Sequence, residues 1–159
     1  MGKNRRFVLP AAAALGVLAA DQMIKHAVRQ TPLCSELLCL PGVLEITHCV
    51  NTGAAFSVLE GRTLLLAALS VLLLAGLIVF FMRSPNLNTG THVALGVLAG
   101  GGLGNLADRI VFGGVTDYIR LLFLPFPVFN LADICITCSI LYLVFSLLTG
   151  RLDPFAKHE

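Results

Sequence analysis

Four apolar stretches restrict this chain to one kind of solvent. Residues 7–28, 63–82, 91–107 and 133–148 each approach the length of helix needed to cross a bilayer, the last two falling slightly short; that length is roughly 20 residues. Across the 159 residues, 57% are hydrophobic and only 13% charged, with a mean hydropathy of +0.87. A soluble domain is about 45–50% apolar and about 25% charged, and a soluble core of this size cannot hide so much apolar surface. The expected fold is an all-α membrane protein of four transmembrane helices, a single domain over residues 1–159, with no internal repeat, low-complexity tract or linker to divide it.

The loops give that bundle a direction, because Lys and Arg of short loops collect on the cytoplasmic side. Lys3, Arg5 and Arg6 precede the first stretch, Arg83 follows the second, and Arg151 and Lys157 follow the fourth. Both termini are therefore expected in the cytoplasm, with loops 29–61 and 108–132 outside. Lys25, Arg29, Arg62, Arg109 and Arg120 lie near the outer helix ends and dilute the bias without reversing it. A basic start before an apolar run also fits a cleavable signal peptide, with Ala11–Ala14 as small-residue cleavage chemistry. Three more stretches follow, however, and Asp21, Gln22 and Lys25 are odd cargo for a discarded segment, so an uncleaved first helix is expected. The formal charge of +2, without a basic stripe interleaved with aromatics, makes no case for a nucleic-acid partner.

The first outward loop alternates after its Pro41-Gly42 turn, with Leu44, Ile46, His48 and Val50 on one face and Glu45, Thr47, Cys49 and Asn51 on the other. A period of two predicts a short β-ribbon resting on the membrane surface. The Asn-Thr-Gly that follows, at 51–53, offers an amide and room for close backbone approach, though an ordinary turn accounts for these residues equally well. In the third stretch Gly96, Gly100 and Gly104 recur every four residues, which lets a neighbouring helix pack backbone to backbone. Packing explains those glycines and leaves Asn105, Asp108 and Arg109 unexplained, unless Asp108 and Arg109 form a plain surface ion pair.

Aspartates carry the chemical signal. Asp21, Asp108, Asp117 and Asp133 sit in or beside apolar segments, where one at the centre of a spanning helix costs roughly 2.5–3.5 kcal/mol. The topology brings Asp21, Asp108 and Asp133 to one level, the outer interface. Asp117 and Asp133 flank an apolar, Pro-containing loop over 121–129 that could act as a flap. Two carboxylates held together in a poorly hydrated site share one proton, so one serves as base and its partner as acid. Local physics offers alternatives: a helix N-cap for Asp133 and a solvated turn for Asp117.

Five cysteines cannot all pair within one chain. Cys135 and Cys138 form a CxxC inside an apolar helix without a second pair or histidines, which reads as small core residues rather than zinc ligands. Cys34 and Cys39 lie in an outward loop where a disulfide is permitted. The four histidines are scattered, so no metal site is expected.

Taken in order, Asp21-Gln22 with Lys25, NTGAAF at 51–56, GNLADR at 104–109, VTDYI at 115–119 and FNLAD at 129–133 resemble bacterial lipoprotein signal peptidase, or signal peptidase II, along nearly the whole chain. No motif position departs from that pattern, and Cys34 and Cys39 lie outside it. The resemblance implies a metal- and cofactor-independent aspartyl endopeptidase of the bacterial cytoplasmic membrane. Such an enzyme removes the signal peptide of prolipoproteins immediately before a diacylglyceryl-modified cysteine and is inhibited by the cyclic peptide globomycin. By matched position it implies a catalytic dyad of Asp117 and Asp133. It further implies that Asp21, Lys25, Asn51, Gly53, Asn105, Asp108, Arg109, Asn130 and Ala132 support the site or contact substrate. Membrane lipids are the surroundings, and four helices can complete a site in a monomer. A proton-coupled carrier would also place aspartates in the membrane, but these gather at one interface without an inverted repeat. A membrane scaffold would use the glycines and leave the Asp and Asn cluster idle.

Overall fold

The computed structural model describes residues 3–53, 59–84 and 87–150, and side chains from residue 6 onward. Residues 54–56 of the second motif, the side chains of Lys3 and Arg5, and Arg151 and Lys157 lie outside that description. Four helices, α1 (Lys3–Arg29), α2 (Thr63–Arg83), α3 (Thr89–Phe112) and α4 (Leu131–Leu148), are accompanied by strands β1 (Glu36–Leu40), β2 (Leu44–Asn51) and β3 (Val115–Leu121).

Burial is inverted relative to a soluble protein. The largest fully buried side chains include Lys25, His92, Asn130, Thr47, Thr91, Asp21 and Asp108, whereas Leu64, Leu73 and Leu148 are 86%, 75% and 80% exposed. Charged groups are almost never fully buried unless paired, and an apolar exterior of this kind needs lipid around it. Segments Arg6–Arg29, Thr63–Arg83 and Leu131–Leu148 are each long and apolar enough to cross a membrane. The chain is a membrane protein, with three such helices among the described residues. The remaining expected span is α3, which is longer than the 91–107 anticipated but diluted by glycines and by Asn105, Asp108 and Arg109.

That dilution has a structural cause, since α3 is the helix that touches α1, α2 and α4. A Cβ at Gly96 would run into the backbone of Pro10, and one at Gly100 into Ala14, both on α1. Gly101 lies against Ala132 and Ile136 of α4, and Gly102 against Leu74 of α2. The stripe of Gly96, Gly100 and Gly104, the last of them against Asp21, thus faces α1 as its spacing predicts, while Gly101 and Gly102 serve α4 and α2. Asn88 caps the start of α3 by accepting from Thr91 N at 2.8 Å, and Gly113, at φ 71°, ends it in the left-handed region that glycine supplies without strain.

The fold carries more β-structure than the sequence suggested. The three strands form one antiparallel sheet in the order β1-β2-β3. The β1–β2 hairpin turns through Gly42 at φ 75°, closed by Val43 N donating to Leu40 O at 2.9 Å. A register shift between Ile46 and Cys49 breaks the strict alternation expected for β2, so Thr47 and His48 are both buried. Strand β3, anticipated only as a loop, pairs Asp117 with Cys49 and Val115 with Asn51. Beyond it the apolar loop 122–128 is closed at its base, where Ile119 and Phe129 exchange backbone hydrogen bonds of 2.8 and 3.0 Å.

Cys34 and Cys39 are both free thiols. Cys39 pairs with Glu45 while Cys34 N donates to His48 O. Their partners are three residues apart along β2, about 10 Å of strand, which exceeds the ~7 Å that a disulfide bridges.

Candidate active site

The amino end of α4 organises the site. Its first three amides would be orphans in any helix, and each finds an acceptor from a different part of the chain. Leu131 N donates to Tyr118 Oη at 3.0 Å, Ala132 N to Asp21 Oδ1 at 3.1 Å, and Asp133 N to Asn130 Oδ1 at 3.0 Å. Asn130 is the N-cap, so Asp133 is not; it stands at the third helical position and its Oδ2 accepts from Asn130 N at 3.2 Å, completing a capping box.

Asn130 also reaches across to β3. Its Nδ2 donates to Asp117 Oδ1 at 2.6 Å and to Asn105 Oδ1 at 3.2 Å. Asn51 Nδ2 donates to Asp117 Oδ2 at 2.9 Å while its own Oδ1 accepts from Gly53 N, and Asn105 Nδ2 donates to Asp133 Oδ1 at 2.8 Å. Each of the two carboxylates is therefore hydrogen-bonded on both oxygens, and Asn130 contacts both. Asp117 is not on a solvated turn; it is 2% exposed on the buried end of β3.

Behind this pair lies a buried charge cluster. Lys25 Nζ sits 2.9 Å from Asp21 Oδ2, 3.2 Å from Asp108 Oδ2 and 2.8 Å from Asn105 Oδ1, with no side-chain exposure on the lysine or either aspartate. Because Asn105 Oδ1 receives the ammonium, its amide is oriented with the nitrogen toward Asp133. Asp108 does not pair with Arg109. Its Oδ1 accepts from Arg29 Nη1 at 3.3 Å and Gln22 Nε2 at 3.1 Å, and its Oδ2 from Thr116 N at 3.0 Å. Consecutive helix residues point about 100° apart, so Arg109 turns elsewhere and, among the described residues, donates to Asn105 O at 3.4 Å, one turn back on its own helix.

Arg29, Gln22, Thr116 and Tyr118 belong to the site although the sequence named none of them as a site residue, the last three standing there only inside motifs. Arg29 stacks over Phe112 at 4.2 Å and bonds Thr116 Oγ1 at 3.0 Å. Asp21, Lys25 and Arg29 recur every four residues, a one-face period that could have revealed it. Burial pushes the Tyr118 hydroxyl up to about 12, so it stays neutral as it accepts from Leu131 N.

Asp117 and Asp133 line one cavity of about 240 Å³, together with Asn51, Gly53, Asn105 and Arg109. Phe126, Pro127, Val128 and Phe129 of the apolar loop border it, with the Phe126 and Phe129 rings edge to face at 5.7 Å. Of the expected site residues only Asp21, Lys25, Asp108, Asn130 and Ala132 stand off the cavity wall, in the supporting network just described. Burial, the largest influence, pushes Asp117 up to about 6; Asp133 nearby raises it, and the bonds from Asn51 and Asn130 hold it down. Among the described residues no group of three or more His, Cys, Asp or Glu side chains could hold a metal ion.

A family model described as "Signal peptidase (SPase) II" matches residues 13–149. The chain belongs to the signal peptidase II family. Family membership makes it a membrane protease. The lipoprotein signal peptidase of Nostoc punctiforme is 38% identical over 158 residues, covering 95% of this chain and 98% of the relative. That of Dehalococcoides mccartyi is 42% identical over 151 residues, 92% of each. A bacterial membrane enzyme solved by the in meso method at 2.3 Å superposes with a TM-score of 0.84 at 28% identity, covering 96% of this chain and 94% of the other. A second, at 1.9 Å, gives a TM-score of 0.81 at 29% identity over 89% and 94%.

Proposed function

We propose that this signal peptidase II homologue is an aspartyl endopeptidase that cleaves prolipoproteins immediately before a diacylglyceryl-modified cysteine, with Asp117 and Asp133 as its catalytic dyad. One observation carries the assignment: two hydrogen-bonded carboxylates from separate elements, β3 and α4, line one cavity at the end of apolar helices and are joined through Asn130. In the reaction the dyad holds one proton and a water. The ionised carboxylate takes a proton from that water as its oxygen attacks the scissile carbonyl carbon, while the protonated partner donates to the carbonyl oxygen. Collapse of the tetrahedral intermediate breaks the C–N bond, and a proton passes to the leaving amine.

Arg109, Gly53 and the backbone near Asn51 border the cavity and orient substrate. Asp21, Lys25, Asn105, Asp108 and Ala132 hold the dyad in place. All four helices cross the bacterial cytoplasmic membrane, with both termini inside and the site at the outer interface. The loop 122–128 acts as a flap, a lipidated precursor reaches the site by lateral diffusion, and globomycin competes for it. The protein works as a monomer without metal or cofactor.

Incubating the purified protein with a diacylglyceryl-modified precursor peptide tests this reading. Cleavage before the lipidated cysteine that persists in a chelator, and vanishes in Asp117→Asn and Asp133→Asn, supports it; full activity in either variant removes the dyad.

A further inference from the structure

The helix ends farthest from the aspartate cluster are built differently. On α1, Asp21 and Lys25 mark the end that meets Ala132 and Asp108; Arg6 marks the other. There one terminal nitrogen of Arg6 donates to Phe81 O at 2.8 Å and Met82 O at 3.1 Å, the last carbonyls of α2. Its guanidinium lies 5.0 Å from the Phe7 ring centre and 5.4 Å from that of Phe81. This geometry fixes the cation in place, yet its Nε is screened from water and has no acceptor among the described residues. Among the described residues no carboxylate pairs with Arg6 or Arg83, because every described aspartate and glutamate belongs to the opposite helix ends or to the segments joining them.

The same two phenylalanines begin a groove. Phe7, Pro10, Ala11 and Ala14 of α1 face Phe81 of α2 across a cleft of about 280 Å³ floored by Gly96 of α3, almost wholly apolar. Its rims stay open, Phe7 and Ile78 being 45% and 63% exposed. An apolar furrow of acyl-chain character that ends at a fixed cation without a carboxylate partner among the described residues complements one amphiphile. Basic sites between membrane helices attract anionic headgroups in this way.

We propose that Arg6 and the α1–α2 groove form a binding site for an anionic phospholipid, with its phosphate on the Arg6 guanidinium and one acyl chain between Phe81 and Ala14. The site is independent of the aspartate pair and of peptide cleavage.

Two measurements decide it. Phosphatidylglycerol with a diazirine in its acyl chain, photolysed with wild-type protein in vesicles, should label residues 7–14 and 77–81 above the other lipid-facing segments. Native mass spectrometry should show phosphatidylglycerol retained over phosphatidylcholine, a preference reduced about fivefold in Arg6→Gln. Arg6→Lys should keep most of that preference. Ala11→Phe, which fills the groove while leaving Arg6 in place, should abolish it. Even labelling along all the helices, or equal retention of the two lipids, overturns the proposal; so does displacement of the lipid by inorganic phosphate alone. If Arg6→Gln does not fold, the labelling pattern of the wild type and the Ala11→Phe comparison carry the decision.

Discussion

Asp117 is the residue whose surroundings conflict most, accepting an amide on each oxygen at 2.6 and 2.9 Å yet remaining 2% exposed. Loss of hydration outweighs the two bonds and raises it from 3.8 to about 6. The folded state therefore keeps a proton that the unfolded chain releases, so this group adds stability below pH 3.8 that is lost as pH rises to about 6. Asp117→Asn should flatten that fall, because the amide does not titrate, at the cost of one of the two accepted bonds, and be inactive. Melting curves from pH 4 to pH 8 in detergent check this; an unchanged slope contradicts it. Lys25 presents the opposite case, a buried cation between Asp21 and Asp108. Lys25→Met should cost about 3–5 kcal/mol by leaving a buried charge uncompensated, and Asp21→Asn in the same chain should restore part of the loss. The i, i+4 pair of Asp21 and Lys25 was legible in the sequence because helix geometry alone creates it. Arg29 continues that period, but its pairing was not legible, because its partner Asp108 lies 79 residues away and Arg109 offered a nearer charge that the helix turns aside.

Helix α4 places its aspartate through its cap, and this makes the element's start more informative than its apolar body. Asn130→Ala removes the N-cap oxygen together with the bonds to Asp117 and Asn105, so stability should fall by about 2 kcal/mol. Asn130→Asp keeps a capping oxygen but sets a third carboxylate against Asp117; it should hold stability better than alanine at pH 5 and lose that advantage by pH 8. Parallel denaturation of the two variants separates capping from charge. The glycines of α3 allow a second comparison. A Cβ at Gly104 meets the Asp21 carboxylate, whereas one at Gly76 of α2 meets nothing within 4 Å. Gly104→Ala should therefore destabilise and weaken cleavage, while Gly76→Ala should be neutral or stabilising by about 0.5–1 kcal/mol. Helix-to-helix packing at those glycines could be read from their spacing. Strand β3 could not: its partner β2 lies more than 60 residues earlier, and Val115–Tyr118 are buried on both faces, which erases the alternation that marks a strand.

At the scale of the whole molecule the sorting of charge gives the bundle its polarity. Asp21, Asp108, Asp117 and Asp133 converge at one end with Lys25 and Arg29 neutralising part of the cluster, while Arg6 and Arg83 stand at the other end without carboxylate partners among the described residues. Composition and run length were enough to announce the membrane, because apolar stretches of that length have no soluble solution. They were less informative about α3, where packing against three helices replaced large apolar side chains by glycine. The proposed topology sets the cationic end in the cytoplasm, as the bias of short loops favours, and it requires the sheet and the aspartate cavity to face outward. Single cysteines or fusion reporters at Leu38 and Gly113 should therefore report the extracytoplasmic side, and one at Arg83 the cytoplasmic side. Thr63 of α2 donates to Gly113 O at 2.9 Å, so the start of α2 and the end of α3 share a level and must report together. A label placing Arg83 on the same side as Leu38 would show that α2 does not cross. The aspartate cavity could not then stand at the outer interface, where a lipidated precursor is to meet it.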